Sequence, residues 1–272
     1  MRNQLELLRD TPWDVLIVLD SLRADEAREF LPEVETVRSP APLTCLWLRR
    51  FVKEWGRKEL LLVNANPVVN RELVRHDTLW SQVPCWLWDW QPTDDGLPTV
   101  PAAALTSRLW RLLLRYGRPR RMIVWVLQPH VPYPGLPYSD WGGGMTDPLS
   151  QAIAKVPTIR QALAKGLTTW DAVLAARRHN VTIALDAAKK IHEMVGGTAI
   201  LTSDHGELLG EAGARGEKLF GHHGSMGAHP LLRQVPWLVA RGKPFEPCDI
   251  PSFPSRWKDD DIERKLQALG YV

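Results

Sequence analysis

Four short apolar runs recur along the chain, each bounded by polar or turn residues: 15–19 (VLIVL), 60–63, 122–127 and 198–202. A fifth candidate spans 235–240. They are short, rich in β-branched residues and apolar at successive positions rather than alternate ones. That is the pattern of strands buried on both faces of a parallel sheet. Helical spacing fills the intervals. Residues 105–116 place apolar side chains on one helical face, although 101–104 offer only Pro and Ala and leave the start unmarked. The clearest helix is 169–194, opened by a Thr168 or Thr169 cap and closed by Gly196-Gly197. Strands alternating with helices predict an α/β domain, a mostly parallel sheet covered on both faces. Residues 133–148 are rich in Pro and Gly and follow a strand directly. They predict a long loop at a strand's carboxyl end, where such folds place their ligands. Residues 210–227 predict a second loop.

Length and composition narrow this picture. The 272 residues suffice for one large domain, so residues 1–272 are read as a single unit. With 44% hydrophobic and 24% charged residues, disordered and fibrous classes are excluded. A net charge of +3, from 34 basic and 31 acidic residues, gives no footprint for nucleic acid. The basic run 115–121 reads as a solvated helix end and turn. Cys45, Cys85 and Cys248 are too few, and odd in number, for a disulfide framework. The first ten residues carry charges throughout and lack a signal-peptide apolar region. No run approaches the roughly 20 apolar residues of a membrane span. The expectation is a cytoplasmic protein with no integral membrane segment. Among the 13 tryptophans, Trp86, Trp88 and Trp90 sit in one segment and read as a buried core layer.

The strand ends carry the candidate chemistry. The first run ends in Asp20, the third in Gln128-Pro129-His130, and the fourth in Ser203-Asp204-His205. Carboxylate oxygens with imidazole nitrogens suit zinc or manganese. Adjacent Asp204 and His205 point opposite ways in an extended strand. A sharp turn lets both face one ion, and Gly206 permits that turn. A lone Asp here is ordinarily a cap and a lone His a core or surface group. The repetition at several strand ends is what distinguishes these residues, because a parallel sheet gathers such ends along one edge.

These segments also carry a family resemblance. DVLIVLDSLRAD (14–25) resembles the first strand and turn of sulfatase-like enzymes of the alkaline phosphatase superfamily, and LTSDHGELLGE (201–211) resembles their later metal-binding strand and loop. QPHVPYPG (128–135) is similar to their substrate-facing histidine segment, LFGHHG (219–224) to their glycine-histidine element, and LQALGYV (266–272) to their tail. The resemblance implies a three-layer α/β/α fold around a central, mostly parallel sheet. It implies Asp20, Asp204 and His205 as ligands of one or two divalent ions, zinc or manganese. It further implies His130 and His222 as second-site or substrate-facing groups. In phosphoethanolamine transferases the equivalents of these two histidines flank the transferred phosphate. The residue directly after Gly221 fits the family step, which favours His222 over His223. Asp140 is the remaining candidate ligand, and Trp141 with the glycines at 142–144 the candidate pocket lining. Glu207 is expected to support the ligands from behind, Glu211 to be a loop residue, and Arg23 to form an ion pair, with Asp25 as a partner.

The family places its nucleophile at the start of a second helix, where this chain reads RSPAPLTCLWLRRF (38–51). Thr44 would be a metal-bound, metal-activated hydroxyl; Cys45 would be the formylglycine precursor of true sulfatases. The sulfatase recognition pattern Cys-x-Pro-x-Arg is met at Arg49, but Trp47 stands in the proline position. Thr44 is therefore the expected nucleophile. The alternative for its hydroxyl is a helix cap. The expected activity is hydrolysis or transfer of a phosphate or sulfate ester, small or linked to a glycan or lipid, with phosphoesters favoured and a homo-oligomer possible. The alternatives are a sulfatase using modified Cys45 and a non-catalytic metal- or anion-binding protein of the same fold. The sequon at Asn180 falls mid-helix and is set aside.

Overall fold

The computed structural model describes residues 1–73, 76, 78–138, 156–222, 226 and 228–249. Its centre is a seven-stranded sheet ordered β2-β11-β8-β1-β7-β3-β4. The strands are β1 (Val15–Leu19), β2 (Glu35–Arg38), β3 (Leu60–Asn64), β4 (Trp80–Pro84), β7 (Met122–Val126), β8 (Thr198–Thr202) and β11 (Gln234–Arg241). Strands β8, β1, β7, β3 and β4 are mutually parallel; β11 runs antiparallel to both β8 and β2. Two short hairpins, β5 (Gln91–Pro92) with β6 (Pro98–Thr99) and β9 (Leu208–Ala212) with β10 (Lys218–Gly221), lie outside this sheet. This is the expected mixed, mostly parallel α/β/α architecture.

The period of two along each strand explains the layering. In β1 every residue is buried. Val15, Ile17 and Leu19 face a core shared with α5 (Ala102–Tyr116) and the 26-residue α7 (Trp170–Val195), through Leu105, Leu109, Val181 and Ile191. Leu16 and Val18 face the opposite core, formed with α1 (Gln4–Asp10), α3 (Thr44–Trp55) and α4 (Pro67–Leu73). Two short helices, α2 (Ala24–Arg28) and α6 (Ile159–Ala164), complete the described set. Helix α7 opens as expected, with the Thr169 hydroxyl accepting from the Ala172 amide at 3.2 Å. It closes at Gly196, whose φ of +72° suits glycine.

Several expectations need correction. Residues 210–227 are not one loop, because 208–212 and 218–221 pair as the β9–β10 hairpin. Neither edge strand of the sheet was legible: β2 buries only Val37 of its four residues, and β4 follows a weakly patterned stretch. The tryptophan layer lies elsewhere than expected. Trp86 is buried, but Trp88 is 42% exposed. The aromatic core instead stacks Trp47 on Phe51 at 4.7 Å and edge-on to Trp125 at 5.4 Å, fixing α3 against the sheet.

Candidate metal centre

The carboxyl ends of β1, β7 and β8 open on the same edge, and Asp20, Asp204 and His205 converge there. All three are fully buried, and they offer donor atoms lying within 4.8 Å of one another. Asp20 Oδ2 accepts hydrogen bonds from Asn66 Nδ2 and, at 3.1 Å, from Trp125 Nε1. Its Oδ1 is buried with no hydrogen-bond partner among the described residues. Burial, and then the Asp204 charge, push the Asp20 carboxyl up to about 8 against the pull of His205, Asn66 and Trp125. Asp204 Oδ1 accepts from the Ser21 amide at 3.3 Å, and Oδ2 accepts from the Thr44 hydroxyl at 2.7 Å. His205 Nδ1 lies 2.8 Å from the Gly206 carbonyl, so it carries the proton. That leaves the Nε2 lone pair facing the cluster, 3.4 Å from Asp204 Oδ2, 3.3 Å from Thr44 Oγ1 and 3.9 Å from Asp20 Oδ1.

The turn that lets Asp204 and His205 share one centre depends on Gly206, for a different reason than conformational freedom. A Cβ there would sit 2.5 Å from the Leu231 carbonyl oxygen and 3.1 Å from Arg23 Cγ. Close approach of the chain, rather than a positive φ, demands glycine. The unusual torsion belongs instead to Ser21, at φ +63° directly after Asp20.

Thr44 is the first residue of α3; Leu43 occupies the cap position and makes no side-chain capping bond. The Thr44 hydroxyl is therefore committed to the acidic cluster and not to the helix. Cys45 is a free, half-buried thiol beside it. His222 and His130 complete the group, with ring centroids 5.4 Å apart, and His222 lies 4.4 Å from the His205 ring. His130 Nδ1 is 3.0 Å from the Val131 carbonyl, and His222 Nδ1 is 2.8 Å from Glu207 Oε1. Both contacts place a proton on Nδ1. Burial alone would raise the Glu207 carboxyl. The attraction of His222, by field and by hydrogen bond, and then of His130 and Arg177, instead holds it well below the usual carboxylate range.

Arg23 pairs with Asp25 and also with Glu211, and it donates to the Glu207 carbonyl at 3.3 Å. Glu211 is thus an ion-pair partner on β9 and not a simple loop residue. Asp140, Trp141, the glycines at 142–144, His223 and the 266–272 tail lie outside the described residues. Four contributors escaped the sequence reading: Asn66, Trp125, Arg177 and Asn180. Asn66 had a legible signal, since a polar pair closes β3 as Asp20 closes β1. Arg177 and Asn180 had none, being polar residues inside a helix. Asn180 is buried, and its amide donates to the Pro129 and His130 carbonyls at 3.0 Å each. That burial is why its sequon is no surface feature.

No protein-family model matches the chain, and no curated protein matches it in sequence. Solved structures do. The soluble domain of lipooligosaccharide phosphoethanolamine transferase A from Neisseria meningitidis matches at TM-score 0.50 and 15% identity, over 83% of this chain and 75% of that one. A protein from Bacteroides thetaiotaomicron, provisionally named a sulfatase, matches at TM-score 0.50 and 12% identity, over 88% and 67%. The chain has the fold of the alkaline phosphatase and sulfatase superfamily. At these identities the likeness concerns the fold; the site's chemistry must be argued from its own residues.

Proposed function

We propose that this protein is a divalent-metal-dependent enzyme acting on phosphate or sulfate esters, with phosphoesters preferred and Thr44 as the nucleophile. One observation carries the reading. The Thr44 hydroxyl sits 2.7 Å from Asp204 Oδ2 and 3.3 Å from His205 Nε2, on the buried cluster that Asp20 completes. The donor set fits a cation. Two buried carboxylates stand together, one of them with an orphaned oxygen, beside an imidazole whose lone pair faces them. Asp20, Asp204, His205 and Thr44 would hold it, with His222 at its margin. A bound zinc or manganese ion supplies charge stabilisation and lowers the pKa of a coordinated hydroxyl.

The residues divide the remaining work. Asp204 orients the Thr44 hydroxyl toward the cluster. Attack by Thr44 Oγ1 on phosphorus breaks the bond to the leaving alcohol's oxygen, which takes up the proton Thr44 loses, and forms a phosphothreonine; water then cleaves it to release phosphate, and an acceptor alcohol in place of water gives transfer. The amide N–H groups of the first turn of α3 have no partner within the helix and favour the substrate's negative oxygens. His130 and His222 present Nε2 beside this point, suited to the leaving oxygen or to a second ion. The ester's alcohol can be small or linked to a glycan or lipid. Among the described residues no helix is long and apolar enough to cross a membrane. The three free thiols support the further proposal of a reducing, cytoplasmic compartment.

A panel of aryl phosphate monoesters, phosphodiesters and sulfate esters, assayed with added zinc or manganese, tests the reading. Metal-dependent turnover of a phosphoester, lost in Thr44→Ala, is the expected result. Turnover confined to sulfate esters, with formylglycine at position 45, would replace it with the sulfatase alternative.

A further inference from the structure

The least expected residue near the site is a fully buried arginine inside α7. Arg177 is 1% exposed and belongs to none of the metal-binding segments. A guanidinium has five N–H groups, and five hydrogen bonds account for them here. Nε and Nη2 grip the two Glu26 oxygens at 2.8 Å each. Nη2 also reaches the Ser21 carbonyl at 2.7 Å, while Nη1 reaches the Pro129 carbonyl at 2.7 Å and Ser21 Oγ at 3.1 Å. Glu207 Oε2 lies 3.6 Å from Nη1 and accepts the Ser21 hydroxyl at 3.3 Å. One fork therefore holds the segment after β1, the segment after β7 and the carboxylate after β8. Asn180, one turn further along α7, doubles the grip on the Pro129 carbonyl and adds that of His130.

The two ends of this network are the histidines. Glu207, flanked by Arg177 and Ser21, accepts the His222 Nδ1 proton; the backbone on either side of His130 hangs from Arg177 and Asn180. We infer that Arg177 is the positioning residue of the His130–His222 pair: it sets the Glu207 carboxylate and the Pro129–His130 backbone so that both rings present Nε2 to the substrate. Arg177 makes no hydrogen bond to Asp20, Asp204, His205 or Thr44 themselves; it reaches that side only through Ser21, whose amide donates to Asp204 Oδ1. The inference rests on reading these histidines as site residues, and not on which ester is turned over.

A lysine cannot replace the fork. Its single ammonium has three donors and cannot span acceptors on three segments in a planar arrangement. The test uses full-length protein labelled with ¹⁵N-histidine, as wild type, Arg177→Lys, Arg177→Met and the exposed-neighbour control Arg178→Met. Long-range ¹H–¹⁵N spectra of chelator-treated protein report the tautomer of each ring; kcat on an aryl phosphate and zinc binding are measured in parallel. Wild type and the Arg178 variant should show His130 and His222 protonated at Nδ1. In both Arg177 variants His222 should shift toward mixed tautomers and kcat should fall about 10–100-fold, the range for partners that orient a site's ligands, while zinc still binds. Arg177→Lys, which keeps the charge and most of the volume, carries the test if the methionine variant does not fold. A folded variant with wild-type histidine spectra and wild-type kcat overturns the inference. Wild-type protein without turnover on any ester overturns the proposed function instead, and the histidine spectra still decide this one.

Discussion

Asp20→Asn should make the metal-free protein more stable at neutral and alkaline pH while abolishing its stabilisation by metal. Asp20 is buried beside Asp204, with one oxygen bonded to Asn66 and Trp125 and the other unpartnered. Its carboxyl is pushed from 3.8 to about 8 in the folded protein, by burial first and by the Asp204 charge second. A carboxyl raised in this way binds a proton in the folded state that the unfolded chain has already released. Its stabilising contribution is complete below 3.8 and is lost progressively as pH rises through about 8. Each unit is worth about 1.4 kcal/mol, so between pH 5 and pH 8 this one group costs on the order of 4 kcal/mol. For a chain of this size that is a fall in Tm of about 8–16 °C. Asparagine copies the neutral carboxylic acid and keeps an acceptor for Asn66 and Trp125, so it removes the slope. Zinc at about 1,000 times its Kd would restore about 4 kcal/mol to wild type and little to the variant. Denaturant melts of both proteins at pH 5, 6.5 and 8, with chelator and with zinc, give the comparison. Equal stability of metal-free wild type at pH 5 and pH 8, or the same slope in Asp20→Asn, would refute a raised Asp20 carboxyl.

Other outcomes follow from the same geometry. Thr44→Ala should lower turnover by at least about a thousandfold, since no methyl group replaces a nucleophile; Thr44→Ser should retain part of it and Cys45→Ser most of it. Peptide mass spectrometry should find Cys45 unmodified, and formylglycine there would refute Thr44 as nucleophile. Cys85 is buried and its thiol is pushed up to about 12, so native alkylation at pH 8 should label Cys45 well before Cys85; equal labelling would contradict the packing. Trp47→Ala should cost about 3–5 kcal/mol, because the ring stacks on Phe51 and meets Trp125 behind the site; equilibrium denaturation would expose a smaller loss.

Some of the edge chemistry was legible because strand ends announce themselves. An apolar run that stops at Asp20, or at Ser203-Asp204-His205, can be read without coordinates, since burial on both faces forbids polar residues until the strand leaves the core. The role expected for Arg23 was legible from its short spacing to Asp25. The expectation for Glu211 failed because its partner, Arg23, is far away in sequence. The β9–β10 hairpin was hidden by glycines that read equally well as a loop.

The sequence by itself determined the layered sheet and the Asp20, Asp204 and His205 candidates, because each depends on local periodicity and on where it breaks. Only the tertiary structure decided that the Thr44 hydroxyl meets Asp204, that Asn66 and Trp125 hold Asp20, and that Arg177 ties three segments together. Those contacts join residues that are mostly 46 to 160 positions apart, and no local pattern encodes a partner at that distance. A buried arginine in a helix looks in sequence like a solvated one. What distinguishes it is the set of carbonyl and carboxylate oxygens that three separate strand ends bring to one point, which exists only once the sheet has formed.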